Sequence, residues 1–283
     1  MKVRDATLEY NDFISATRKV GTQHFYLFYF NIVNTYLGNK ECDDITKKDI
    51  VNMIRCIQND RPNIQNITIN KAVMTLKTVV KYSTDREIKF AKLPEQKKII
   101  ETISDATLKT IWEYYKKHIS NKFQFRNYVL LRLMLDTGLR MNEIINLKVK
   151  DIDLLSSCIW VKITKTSCDR YVCYTAQTKS LLYRYIATMN VNDYLFIDFN
   201  TDLPLTTSSV ESLLYRLKKR LKIQQNITPH KWRHTFATNF LKRGGDLETL
   251  RLLLGHSNLR TTQKYLHLSK NDIITNYMNV MQN

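Results

Sequence analysis

The 283-residue chain carries 44 lysines and arginines against 26 aspartates and glutamates, a formal net charge of +18, with 43% hydrophobic residues and only six glycines and four prolines. That length and apolar share exclude a disordered or low-complexity chain and predict one large or two ordinary domains, rich in helix, around a buried core. The charge is spread as 17 basic and 11 acidic residues up to residue 100 and 27 and 15 beyond it, an excess of +6 and +12, so a polyanion held from two sides is the expected partner, nucleic acid before anionic lipid or a merely solvated basic face.

Cys42, Cys56, Cys158, Cys168 and Cys173 are odd in number and form no C-x-x-C pair, which predicts free thiols in a reducing compartment. The opening MKVRDATLEY puts charge where an apolar signal core would begin, and no apolar run of about 18 residues follows. A soluble, cytoplasmic protein with no membrane partner is expected.

In chain order, apolar periodicity predicts helices over 7–19, 22–37, 47–58 and 68–82. The second has a core stripe of Phe25, Phe28, Tyr29, Val33 and Tyr36, and the fourth one of Ala72, Leu76, Val79 and Val80. Residues 87–103, EIKFAKLPEQKKIIETI, are lysine-rich and aperiodic, which reads as an interdomain linker. A helix capped by Ser104 runs to His118, and another from Lys122 stops near Gly138. CIWVKI (158–163) and RYVCYT (170–175) flank a polar TKTSCD, the pattern of a β-hairpin with a six-residue turn. Helices follow over 176–189, 207–221, 230–242, 246–254, 261–268 and 272–280.

Four segments of the second half carry candidate chemistry: TGLRMNEIINL (137–147), Lys165 in the hairpin turn, TPHKWRHTFAT (228–238) and LLGHSNLRTTQKY (253–265). Each has an ordinary reading, since arginines are commonly surface residues and Tyr265 is one tyrosine of sixteen. In the third, Thr228 suits an N-cap and Pro229 the first helical position, so His230 and Arg233 share one face of the opening turn. An imidazole and a guanidinium beside free helix amides make a phosphate site. A rival reading is zinc on His230 and His234, four residues apart, but Lys231 and Arg233 would repel a cation and no further ligand set completes it. Gly255 is placed to end a helix in a left-handed conformation and present His256, with Tyr265 nine residues on.

Together, TGLRMNEIINL, Lys165, HKWRH, LLGHSN and KY resemble, in order and spacing, the tyrosine recombinases, which include phage integrases and the enzymes that resolve chromosome dimers. The resemblance is strong over 104–268 and extends to TINKAVMTLKTVVKYS in the first half. It implies a mainly α fold: a helical, SAM-like core-binding domain (1–86), the linker (87–103), and an α-rich catalytic domain with a small antiparallel sheet (104–283). In the last helix, over 271–280, Ile273, Ile274, Tyr277 and Val280 recur at helical spacing, which predicts docking on a neighbouring protomer. The resemblance implies catalytic residues Arg140, Lys165, His230, Arg233 and His256 with Tyr265 as nucleophile, and Glu143 as a supporting carboxylate. Lys162 shares the hairpin with Lys165, and Arg170, five residues on, aligns Lys165. The implied reaction is attack of tyrosine on a DNA phosphodiester to give a 3′-phosphotyrosyl link, without metal, nucleotide or other cofactor. His230 would be the base, Lys165 the proton donor to the leaving 5′-oxygen, and His256 a phosphate contact. The implied assembly is a homotetramer on two duplex sites, built from monomers in solution and associated with the nucleoid. A type IB topoisomerase-like enzyme and a catalytically silent DNA-binding relative are the other classes compatible with these residues.

Overall fold

The structure, a computed structural model, describes residues 1–95, 100–162, 169–189, 191 and 193–266. The chain divides into two compact units, Met1–Lys98 and Ile99–Asn283. The first is built from α1 (Val3–Thr17), α2 (Val20–Leu37), α3 (Lys47–Asp60) and α4 (Asn66–Thr84). Helix α1 starts earlier than the predicted Thr7 because Val3, Ala6, Tyr10 and Ile14 already form one buried face. Helix α3 begins with a capping box, the Thr46 hydroxyl accepting from the Asp49 amide while the Asp49 carboxylate accepts from the Thr46 amide.

The core stripe predicted for α2 is rotated. Tyr29 and Val33 are buried as expected, but the helix also buries Phe30, Ile32 and Leu37 and leaves Phe28 52% exposed. Helix α2 packs on both α1 and α4, and a helix that is apolar on most sides offers little periodic contrast from which to orient it. Ala72, Leu76, Val79 and Val80 of α4 are buried as predicted. Beyond α4, Ile88, Phe90 and Leu93 pack on the same core, and Asn70 binds both the amide and the carbonyl of Leu93. The front of the aperiodic stretch is therefore fastened to the first unit.

The second unit comprises α5 (Asp105–Lys117), α6 (Lys122–Thr137), the short α7 (Met141–Ile145), strands β1 (Ile152–Asp153), β2 (Cys158–Val161) and β3 (Arg170–Cys173), then α8 (Ala176–Met189), α9 (Thr207–Arg220), α10 (Pro229–Lys242), α11 (Leu247–Leu254) and α12 (Arg260–Gln263). The predicted hairpin is present, with Ile159 opposite Val172, and β1 adds a third antiparallel strand in the order β1-β2-β3. Ser104 caps α5 through the Thr107 amide, and α6 ends at left-handed Gly138. The helix predicted over 261–268 is short, spanning Arg260–Gln263. Residues 163–168, with Lys165, and the predicted helix at 271–280 lie outside the described residues.

Helix α6 is buried along most of its length and packs on α5, α8 and α10, which makes it the axis of this unit. Trp232 of α10 is fully buried, donates its indole N–H to Ile227 O at 3.2 Å and packs on Trp112. A smaller cluster of Phe236, Ala237, Leu241, Leu250, Leu254 and Tyr265 ties α10 and α11 to the segment after α12. Cys42, Cys56, Cys158 and Cys173 are free thiols, as their number and spacing predict. No helix among the described residues is long and apolar enough to cross a membrane.

All three tryptophans, Trp112, Trp160 and Trp232, belong to the second unit, so their fluorescence reports its unfolding alone. Trp232→Ala should lower that unit's stability by about 3–5 kcal/mol, the usual cost of emptying a large buried aromatic site. A urea midpoint equal to the parent's would refute the placement of Trp232 at the centre of this core.

Candidate active site

Four chain segments converge through polar contacts. Helix α6 stops at Gly138, whose φ of +60° needs no Cβ, and the chain turns at once through Arg140 into α7. A Cβ on Gly138 would lie 2.2 Å from Cδ1 of Phe236 on α10, so this glycine also sets how closely α10 approaches. Glu143 reaches back to accept from the Arg140 amide at 2.7 Å and from its guanidinium at 3.1 Å. Its two oxygens also accept a bidentate pair from Arg170 of β3, at 3.0 and 2.7 Å. Burial pushes the Glu143 carboxyl up, but the hydrogen bonds and charge of Arg170, followed by Arg140, hold it below the ordinary glutamate value.

Thr228 and Pro229 open α10 as predicted, although the Thr228 hydroxyl makes no capping bond. One turn in, Arg233 is only 6% exposed and donates to Gly138 O and Leu254 O, both at 2.7 Å, and to Nε2 of His256 at 3.0 Å. Burial, followed by the charge of Arg140, lowers its pKa to about 10, so it remains a cation at neutral pH. Arg140 donates its other amine to Gly255 O at 2.8 Å. Gly255 is left-handed at φ +61°, and a Cβ there would sit 2.8 Å from the Arg170 guanidinium, which donates to Leu253 O. The end of α11 is thus held by Arg140, Arg170 and Arg233 together.

The tautomer of His256 follows from its partners. A guanidinium only donates, so Nε2 accepts from Arg233, and Nδ1 carries the proton and donates to Thr262 Oγ1 at 2.9 Å. Burial, then Arg233 and Arg140, lower the pKa of this imidazole to about 4, keeping it neutral. Tyr265, 5% exposed, follows α12, and its hydroxyl lies 2.8 Å from Nδ1 of His234. Burial raises the pKa of the phenol, and Arg233 works against that rise. Lys264 lies over the Tyr265 ring, and burial, followed by Arg233, lowers the pKa of its amine.

Arg140, Glu143, His230, Arg233, His256 and Tyr265 all line one open cleft of about 1470 Å³, which Lys218, Lys219 and Lys222 make more basic. Of the residues expected from sequence, only Lys165 falls outside the described residues. Lys162, its alternative, lies 3.8 Å from Asp151 and over the Trp160 ring. Sequence reading missed two participants. The sequence offers His234 only as half of a zinc pair, yet its ring meets Tyr265 and not a ligand set; no group of three metal-ligating side chains converges among the described residues. In the sequence Arg170 only aligns Lys165, and nothing local to RYVCYT announces that its guanidinium grips Glu143. The expected base, His230, is exposed on the cleft wall with its ring centroid 6.4 Å from that of His234, and among the described residues no hydrogen bond joins it to Tyr265.

Residues 101–272 match the phage integrase family. Over 280 residues the chain is 33% identical to the tyrosine recombinase XerA of Saccharolobus solfataricus, covering 96% of this chain and 92% of that protein. It is 32% identical over 232 residues to the tyrosine recombinase XerC of Staphylococcus epidermidis, covering 76% of each. Among solved structures, the Tn1549 transposon integrase in complex with transposon right end DNA has the same fold, with a TM-score of 0.81 at 19% identity over the whole of both chains. A XerA recombinase crystal structure matches at 26% identity over 98% of both chains, with a TM-score of 0.55. With a family match across more than half of its length and a relative aligned almost end to end, the chain belongs to the phage integrase family of tyrosine recombinases.

Proposed function

We propose that this chain is a site-specific recombinase that cleaves and rejoins duplex DNA through a 3′-phosphotyrosyl bond to Tyr265. The observation that carries this reading is a buried tyrosine hydroxyl sharing one basic cleft with Arg140, Arg233 and His256. Guanidiniums fixed in advance can meet the non-bridging oxygens of a phosphodiester as charge grows on them, without reorganising during the reaction. Arg140 is the more exposed donor, at 43% of its side chain. Arg233 lines the same cleft and is anchored by three acceptors. Glu143 and Arg170 act on the phosphate only through Arg140, by fixing its direction.

In this reading His256, neutral and engaged at both nitrogens, holds Arg233 and contacts the phosphate only if Nε2 is released. Lys165 supplies the proton to the departing 5′-oxygen, a role that rests on family resemblance. Residues 1–86 form a core-binding domain, 87–103 a linker and 104–283 the catalytic domain, with 271–280 docking on a neighbouring copy in a tetramer spanning two duplexes. The basic excess in both halves suits a DNA partner, as do the DNA complexes of the similarly folded Tn1549 integrase. Action on chromosomal DNA, which the resemblance of its motifs to dimer-resolving recombinases suggests, would place it in the cytoplasm at the nucleoid.

A duplex selected by this protein from a randomised pool, then nicked beside the cleavage point, tests the proposal. The parent should form an SDS-resistant adduct and Tyr265→Phe none; an adduct in the variant would sink the assigned nucleophile. Exchange of strands between two marked duplexes distinguishes a recombinase from a topoisomerase-like enzyme, and absence of any adduct from the parent would indicate a silent DNA-binding relative.

Arg170→Lys keeps the charge but loses the fork on Glu143 and the bond to Leu253. It should slow adduct formation roughly 10²-fold, the scale of an ångström-level misplacement, while duplex binding in a gel-shift assay stays near the parent's. Equal loss of binding and cleavage would contradict a purely positioning role.

The neutral imidazoles also set an acid limit. His234 and His256 both have pKa values lowered from 6.5 to about 4, His234 by burial and then Lys264. Below pH 6.5 the unfolded chain therefore binds protons that the folded chain refuses, so stability falls as pH drops from about 6.5 toward 4. Denaturation midpoints across that window should decline in the parent, and less steeply in His256→Asn; parallel declines would exclude His256 as a contributor.

A further inference from the structure

The proton of the Tyr265 hydroxyl must leave before or during attack on phosphorus, and the group in contact with that hydroxyl is not the one that family resemblance nominates. Nδ1 of His234 lies 2.8 Å from the oxygen. His230 sits one turn earlier on the same face of α10, exposed toward the cleft. We propose that His234 is the catalytic base that takes the phenolic proton of Tyr265, an assignment that rests on Tyr265 being the nucleophile.

The step balances as follows. The Tyr265 oxygen forms a bond to phosphorus, and its proton passes to Nδ1 of His234. The bond from phosphorus to the 5′-oxygen breaks, and that oxygen takes a proton from a donor on the leaving side. In rejoining, the 5′-hydroxyl attacks, the phosphotyrosyl bond breaks, and the His234 imidazolium returns its proton to the phenol.

Three features suit His234 to this. Its ring is half-buried and packed at 5.5 Å, centroid to centroid, against that of Tyr265, which is itself too buried for bulk water to act as base. It neighbours Arg233 in sequence, so one turn of α10 delivers both a phosphate-binding cation and a proton acceptor. The charged and titratable groups facing it are Lys264 and Tyr265 from the segment after α12, and His230, Lys231 and Arg233 on its own helix. Burial, followed by Lys264 and the cations of its own helix, lowers its pKa to about 4, so it is neutral at pH 7, and in the tautomer protonated at Nε2 the Nδ1 lone pair meets the phenol. An arriving phosphodiester brings negative charge beside Arg233 and Lys264 and raises the proton affinity of His234 at the moment the proton must move.

The test uses the nicked selected duplex in two forms, with oxygen or with sulfur at the 5′ bridging position of the cleaved phosphate. A thiolate departs without a proton, so the sulfur substrate removes the need for an acid on the leaving side but not for a base on the nucleophile. On the oxygen substrate at pH 7, His234→Gln should form adduct roughly 10²–10³-fold more slowly than the parent. The loss should persist on the sulfur substrate. Between pH 7 and 9 the variant's rate should climb about tenfold per unit as Tyr265 ionises unaided, while the parent stays nearly flat. His234→Ala should behave alike; if it fails to bind duplex, His234→Gln, which keeps a hydrogen-bond acceptor of similar reach, decides. Cleavage by His234→Gln within threefold of the parent, rescue of its loss by sulfur, or the same pH-dependent loss appearing in His230→Gln and not in His234→Gln overturns this assignment alone. An adduct that survives Tyr265→Phe overturns the nucleophile, and the base with it.

Discussion

A guanidinium withdrawn from water must find acceptors for its protons, and Arg233 finds them at the carboxyl ends of two helices. Gly138 O follows the last residue of α6 and Leu254 O closes α11. These carbonyls have no partner within their own helices and sit at the negative ends of the helix dipoles, so one cation satisfies both and is stabilised by both. The cost of burying the charge is offset because the geometry is fixed by backbone and not by mobile side chains. It also fixes α10, since Phe236 packs where Gly138 has no Cβ. Replacing Arg233 by an apolar residue would leave two helix ends unsatisfied as well as removing the proposed phosphate donor.

Around that anchor, charge is arranged unevenly. Arg140, Arg170 and Arg233 lie within reach of one carboxylate, Glu143, whose four polar contacts go to Arg140 and Arg170. The nearby imidazoles add no charge at neutral pH, because the same burial and the same guanidiniums that prepare a phosphate site disfavour a further cation. The cleft is thus left with a positive surplus and with neutral nitrogens able to accept protons. A phosphodiester is the complement to both.

Much of this was legible in the sequence, for reasons that can be named. Gly138 and Gly255 were readable as helix stops because a left-handed residue at a helix end favours glycine, and Ser104 as a cap because its hydroxyl can reach the next amides. The segments holding Arg140, His230, Arg233, His256 and Tyr265 were readable because each combines a local structural signal with a phosphate-binding residue type. What escaped depends on contacts between distant segments. Arg170 meets Glu143 across 27 positions, and His234 meets Tyr265 across 31. The face of α2 and the third strand β1 escaped for a different reason: an almost uniformly apolar helix and a two-residue strand carry too little pattern to be oriented or detected.

The resting state of Tyr265, the proposed nucleophile, follows from the same balance. A free phenol close to guanidiniums would ionise more readily, yet burial outweighs Arg233 and leaves Tyr265 more firmly protonated than an exposed tyrosine. Its hydroxyl lies 2.8 Å from Nδ1 of His234, and its ring is held in the apolar cluster with Leu250 and Leu254. A phenol held in this way is shielded from bulk water and stays protonated at neutral pH. In the proposed reaction, a ligand that adds negative charge next to Arg233 shifts the proton affinities in favour of transfer, so the anion to be attacked would also ready the attacking group.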